Sequence, residues 1–199
     1  MKIVINHITN MLEVHRGKSN KCYYLARNIL CRTEKLKLRD CLRLKKKIIS
    51  VIEQFSDDKN MLFHYKIVVG PSIHLIIYCI KQQLEDTAIS SNCDIMPVQF
   101  FINKKYGINT AKDNVLCIVY RIESVIYLIY TRRKSIIYSR MIDNKAVDSI
   151  EHLIHSDMDM INKDLQENFK FNVISNIESL KKEPFISKYL KEDKNALSI

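Results

Sequence analysis

The chain has 199 residues, 47% of them hydrophobic, and a formal charge of +10. That apolar content supports a packed core and excludes a largely disordered polypeptide. No apolar run reaches the roughly 18 residues of a spanning helix, and Met1–Asn6, interrupted at Asn6, His7 and Asn10, is too short for a signal peptide.

The charge is uneven. Residues 1–60 carry 14 Lys or Arg against 6 Asp or Glu, whereas residues 61–199 carry 18 against 16. A basic first part suits an acidic protein, an anionic membrane surface or nucleic acid, although lysines also simply solvate a helix face. The six cysteines, Cys22, Cys31, Cys41, Cys79, Cys93 and Cys117, form no CxxC pair and lie mostly in apolar segments. They read as small hydrophobes in a reducing, cytosolic setting.

In chain order, Lys2–Asn6 and Met11–His15 read as strands. Arg16–Lys21, with Gly17, Ser19 and Asn20, suits a hairpin connection, and Cys22–Cys31 reads as a third strand. From Lys37 to Phe55 the apolar spacing changes to three and four, which predicts an amphipathic helix. His64–Val69 is apolar without alternation and predicts a strand buried on both faces. Gly70–Ser72 breaks it, and Ile73–Ile80 follows as another strand. Ile95–Ile102 reads as holding an extended piece and Asn103–Asn114 as a linker. A second meander follows over Val115–Tyr120, Ser124–Tyr130 and Ser135–Ile142, with its tip at Thr131–Lys134. Asn144–Asn168 reads as a helix, Phe169–Ile174 as a strand, and the tail as at most one short amphipathic helix.

This order predicts an α/β (α+β) fold: mixed sheets in which three-strand antiparallel meanders are followed by helices, the architecture written twice. The segments MLEVHRGKSNKCYYLARN, LRLKKKIISVIEQF and FHYKIVVGPS, with DNVLCIVYRIESVIYLIYTRRKSIIYSRMI and the helix after it, carry a resemblance. Together they resemble the duplicated ribonuclease-H-like halves of the actin-like ATPase fold. Within that fold they look most like the pilus-assembly PilM family and the cytoplasmic part of the type II secretion GspL family. The resemblance implies a first half over 1–110 and a second, truncated half with a tail over 111–199. It also implies a bacterial, cytoplasmic protein, peripheral at the inner membrane, working as a scaffold through protein partners.

The departures bear on chemistry. Nucleotide sites of this fold use Gly-rich hairpin turns, where backbone N–H groups approach phosphates without a Cβ in the way. Here the corresponding turns are Asn6-His7-Ile8-Thr9 and Tyr120-Arg121-Ile122-Glu123-Ser124, without glycine, and the first also lacks a carboxylate. The adenosine-binding end of the second half is also not recognisable. The expectation is a pseudo-ATPase: no catalytic residues, no cofactor and no metal. Glu13, Asp113 and Asp143 do not make the carboxylate set of a two-metal nuclease.

His152 and His155 with Asp157 and Asp159 could face a metal from one helix, but no HExxH pattern or third ligand supports it. His64 and His74 read as packed or surface histidines. Ser72 lacks the second glycine of a nucleophile elbow. The residues best suited to an anionic partner are Arg43, Lys45, Lys46 and Lys47 on the first helix, and Arg132, Arg133 and Lys134 at the second hairpin. A nucleic-acid-binding protein using that Lys/Arg-rich helix is the alternative reading.

Overall fold

The computed structural model describes residues 2–6, 11–16, 19–25, 29–54, 61–69, 73–81, 94–108, 110, 114–143 and 149–190. It is a mixed α+β fold with three sheets. The first sheet contains β1 (Lys2–Asn6), β2 (Met11–Arg16) and β3 (Ser19–Tyr24), an antiparallel meander. β7 (Asp94–Pro97) joins it parallel to β3.

The chain then leaves this sheet. β4 (Leu30–Leu36), β5 (Met61–Val69) and β6 (Ile73–Lys81) form a separate antiparallel sheet in the order β4-β6-β5. The expected third strand over Cys22–Cys31 is therefore split between two sheets. The expected helix is two pieces, α1 (Leu38–Leu42) and α2 (Leu44–Glu53), broken at Arg43 (φ −122°, ψ 33°). Leu44, Ile48, Val51 and Ile52 of α2 close over Leu36, Leu75, Ile77, Phe63 and Ile73. This strand–helix–strand–strand unit has its own small core.

β5 corrects a sequence expectation. It is an edge strand, with His64, Tyr65, Lys66, Ile67 and Val69 exposed. The doubly buried strand is its neighbour β6, where residues 74–79 are all buried. Unbroken apolar runs do not reveal which strand lies in the middle.

The third sheet is the largest. β8 (Asn114–Ile122), β9 (Val125–Arg132) and β10 (Ser135–Asp143) form the second meander, and β11 (Lys170–Ser175) and β12 (Ile186–Tyr189) run parallel beside β8. The order is β10-β9-β8-β11-β12. α4 (Ile150–Leu165) covers one face, where Tyr130 of β9 reaches Asp157. α3 (Val98–Tyr106) packs toward the other, where Tyr106 meets Tyr120. Both faces are buried, so β8 and β9 carry continuous apolar residues without alternation.

β7 is the extended piece expected within Ile95–Ile102, but α3 takes the rest of that stretch and the start of the expected linker Asn103–Asn114. Pro97 presets the helical start. Val98 and Ile102, four residues apart, are fully buried together with Gln99 and Asn103. At the other end, a Cβ on Gly107 would stand 2.2 Å from Asn103 Oδ1 and 2.4 Å from Asn103 O. The tail also differs: a single 3-10 turn at Glu178–Leu180 precedes strand β12. Among the described residues, no helix is long and apolar enough to cross a membrane.

The two tight turns of the second meander contain no glycine, yet Glu123, Arg133 and Lys134 take left-handed φ values of 53°, 49° and 62°. An L side chain there costs about 1 kcal/mol relative to glycine. Lys134 is exposed, and its carbonyl accepts from Asn103 Nδ2 at 3.0 Å through backbone alone. Lys134→Gly is therefore expected to raise unfolding free energy by about 1 kcal/mol in urea titration, whereas Gly107→Ala lowers it by at least about 1 kcal/mol through overpacking.

Candidate functional site

Three polar arrangements stand out once the sheets are placed. The first lies beneath α4. Asp157, 1% exposed, accepts from the Tyr130 hydroxyl at 3.0 Å and pairs with Arg140 Nη2 at 3.1 Å. Burial pushes the Asp157 carboxyl above its ordinary range, opposed by Arg140 and the Tyr130 hydroxyl. Burial likewise raises the Tyr130 hydroxyl and the neighbouring Cys117 thiol. A thiol held protonated is not a nucleophile. Both oxygens of Asp157 are engaged, so the cluster fastens α4 to the sheet and presents no free base.

The second joins two sheets. Glu167, just after α4, pairs with Arg132 Nη2 of β9 at 3.1 Å and approaches His74 Nε2 of β6 at 3.6 Å. Arg132 also stacks over the Phe169 ring, 4.4 Å from its centroid. Burial lowers the His74 pKa from its ordinary 6.5; Arg132 lowers it further, Glu167 raises it, and Lys35 adds a smaller lowering. The histidine is neutral at neutral pH.

The third is a cleft of about 840 Å³ where β4, β10 and the last turns of α4 meet. Thr33 bridges its strands by donating to Ile137 O at 3.2 Å. Arg32, Lys35 and Lys37 line it together with Glu34 and Asp164. Glu34 is already held by Lys47 at 2.5 Å and Arg32 at 3.4 Å. Cys31 also lines it, its thiol pushed up by burial.

The residues singled out for an anionic partner divide. Arg43, Lys45 and Lys46 are exposed on α1–α2, and Lys134 is exposed at the hairpin tip. Lys47 is bound to Glu34. Arg133 donates through its guanidinium to Val69 O. Arg132 is not at the tip: it is 4% exposed and paired inside. The even spacing of a basic hairpin gave no sign that one arginine points inward; its partner Glu167 lies 35 positions away.

The other candidates are also placed. His155 pairs with Glu151 at 3.9 Å on the solvent side of α4, where His152 and Asp159 are exposed too, while Asp157 points into the core. Among the described residues, no group of three or more His, Cys, Asp or Glu could hold a metal. Glu13 belongs to the first sheet, beside His15 at 3.3 Å, and Asp143 ends β10 of the third. His64 stacks on Tyr78. Ser72, Asp113 and the turn 7–10 lie outside the described residues.

The turn within Tyr120-Arg121-Ile122-Glu123-Ser124 is described. Ile122 pairs with Val125, leaving Glu123–Ser124 as a two-residue turn. Asn176 braces its base: Oδ1 accepts from Arg121 N at 2.7 Å, and Nδ2 donates to Arg121 O at 3.1 Å.

No protein-family model and no curated protein matches the chain. Solved structures do. A PilM–PilN type IV pilus biogenesis complex overlays 99% of this chain and 90% of its own, with a TM-score of 0.50 at 8% identity. A Bacteroides thetaiotaomicron VPI-5482 protein of actin-like ATPase fold covers 95% and 89%, with a TM-score of 0.44 at 9% identity. The cytoplasmic domain of EpsL, an inner-membrane component of the Vibrio cholerae type II secretion system, covers 99% and 87%, with 0.47 at 6%. The resemblance read from the sequence, to PilM-type proteins of the actin-like fold, is borne out at the level of fold.

Two outcomes follow from the polar clusters. A histidine with a depressed folded pKa contributes stability that is full above about 6.5 and is lost as pH falls. Urea titrations from pH 7.5 to 5 are expected to show stability declining below pH 6.5 in the native chain and a flatter profile in His74→Gln. Asp157→Ala leaves the Tyr130 hydroxyl and Arg140 without their shared acceptor and is expected to cost about 3 kcal/mol, measured the same way at pH 7.

Proposed function

We propose that the chain is a non-catalytic, actin-like scaffold that works by protein–protein contact in a bacterial pilus- or secretion-type assembly, on the cytoplasmic side of a membrane. One observation carries the reading: the second meander is kept intact while its phosphate-facing turn is closed by Glu123–Ser124. A phosphate cradle needs converging N–H groups and close backbone approach. Here the turn is only two residues long, and Glu123, not glycine, occupies its left-handed position at φ 53°. Asn176 fixes the base of that turn from β11's end, which opposes rearrangement toward a wider loop.

The fold shared with PilM, solved in complex with PilN, supports a role in assembly rather than turnover. The proposed division into halves over 1–110 and 111–199 is supported by the two meanders, each extended by a parallel strand: β7 beside β3, and β11 beside β8. The matching is not symmetrical, because the parallel strand joins the last strand of the first meander and the first strand of the second.

Affinity capture of the tagged full chain from its source cell, followed by size-exclusion chromatography and mass spectrometry, tests the reading. The expected result is stoichiometric co-elution with a membrane-anchored component of such an assembly. Recovery of the chain alone, across mild detergent conditions, contradicts it.

A further inference from the structure

Leu38 and Leu42 are 82% and 87% exposed, the two most exposed large apolar side chains among the described residues. They are four apart on α1, so they share one stripe of the helix. α1 buries nothing. Beyond the break, Ile49 of α2 is 46% exposed. A single exposed leucine is ordinary, but two adjacent ones on a helix with no inward face are not accounted for by folding.

The surroundings are cationic. Arg39 lies beside Leu38 on α1, Arg43 sits at the break, and Lys45 and Lys46 open α2; all four are exposed. Between Lys37 and Ile52 the only acid is Asp40. Its carboxylate is occupied within the helix start, accepting from Lys37 N at 2.9 Å. The other face of α2 is committed to the β4-β6-β5 sheet through Val51, Ile48 and Ile52. α2 is thus anchored to the sheet, while α1 and the start of α2 carry exposed leucines and long basic side chains within nine residues of sequence.

We propose that this face of α1–α2 docks on an anionic phospholipid bilayer. Leucines enter the boundary between headgroups and acyl chains, while Arg39, Arg43, Lys45 and Lys46 meet lipid phosphates with their stems lying along the apolar surface. Charge complementarity selects the anionic lipid. The exposed leucines select a bilayer over nucleic acid, whose phosphate backbone offers them no apolar phase. The inference is independent of the scaffold reading, because it rests on α1–α2 alone.

Vesicle co-sedimentation of the full chain tests it. Binding is expected to vesicles of phosphatidylcholine with about a third phosphatidylglycerol, and to be lost with pure phosphatidylcholine. Leu38→Ser with Leu42→Ser is expected to reduce partitioning at least about tenfold, and Arg43→Glu with Lys46→Glu by more than about twentyfold, at roughly fivefold or more per cation. These positions are exposed, so the variants should keep the native circular dichroism spectrum. As a second reading, the chain has no tryptophan, so Leu42→Trp gives a site-specific signal. Its emission should shift to the blue on anionic vesicles and be quenched by brominated acyl chains. No sedimentation with anionic vesicles, equal binding by the leucine variant, or an unshifted Leu42→Trp spectrum overturns the proposal. So does binding of a labelled 20-base-pair DNA duplex that proceeds without vesicle binding and ignores the leucine changes.

Discussion

The three sheets of this molecule meet on one buried nine-residue helix. α3 touches all three sheets: Phe101 packs on Tyr23 of the first, Phe100 on Tyr78 of the second, and Tyr106 on Tyr120 of the third. Val98 and Ile102 are sealed between them. A helix this short is not stable alone, because nucleation costs more than its few hydrogen bonds return. Its existence is a tertiary fact. Pro97 and Gly107 mark its ends for local reasons: one presets the first turn, and the other leaves room for Asn103.

That arrangement explains the pattern of the third sheet. With α3 on one face and α4 on the other, β8 and β9 are covered on both faces except at Arg121, and alternation disappears from the sequence. The charged groups admitted to this interior are paired, although single polar atoms such as Ser139 Oγ are buried without a hydrogen-bond partner among the described residues. Asp157 meets Tyr130 and Arg140, and Arg132 meets Glu167 and Phe169. An unpaired charge at either place would cost more than the fold could easily absorb. The second sheet is held edge-on: Tyr78 donates to Ile136 O at 2.9 Å and Thr33 to Ile137 O, both beside the bulge in β10.

Much of this was legible in the sequence, and the gaps have physical causes. The second meander was readable to within a residue or two because turn chemistry punctuates it. α2 was readable from its three-and-four spacing. α3 was missed because Ile95–Ile102 is a short apolar run that fits strand or helix equally, and only Pro97 hinted at the answer. Sheet membership was not legible: Leu36 pairs with Ile73, and nothing local to either says so. The exposed cations Arg43, Lys45, Lys46 and Lys134 were readable as a basic surface, whereas the inward turn of Arg132 depends on Glu167, far along the chain. The exposure of Leu38 and Leu42 is not legible in the amphipathic spacing of Lys37–Phe55, because periodicity cannot tell a face that is covered from one that is not.

The proposed scaffold role requires that this fold binds no nucleotide at its tight Glu123–Ser124 turn. Calorimetric titration of the purified chain with ATP and magnesium at moderate salt tests it most directly. The account predicts no heat of binding up to millimolar nucleotide. Stoichiometric binding with a micromolar constant would contradict it, and would mean that the Glu123–Ser124 turn opens to admit phosphate.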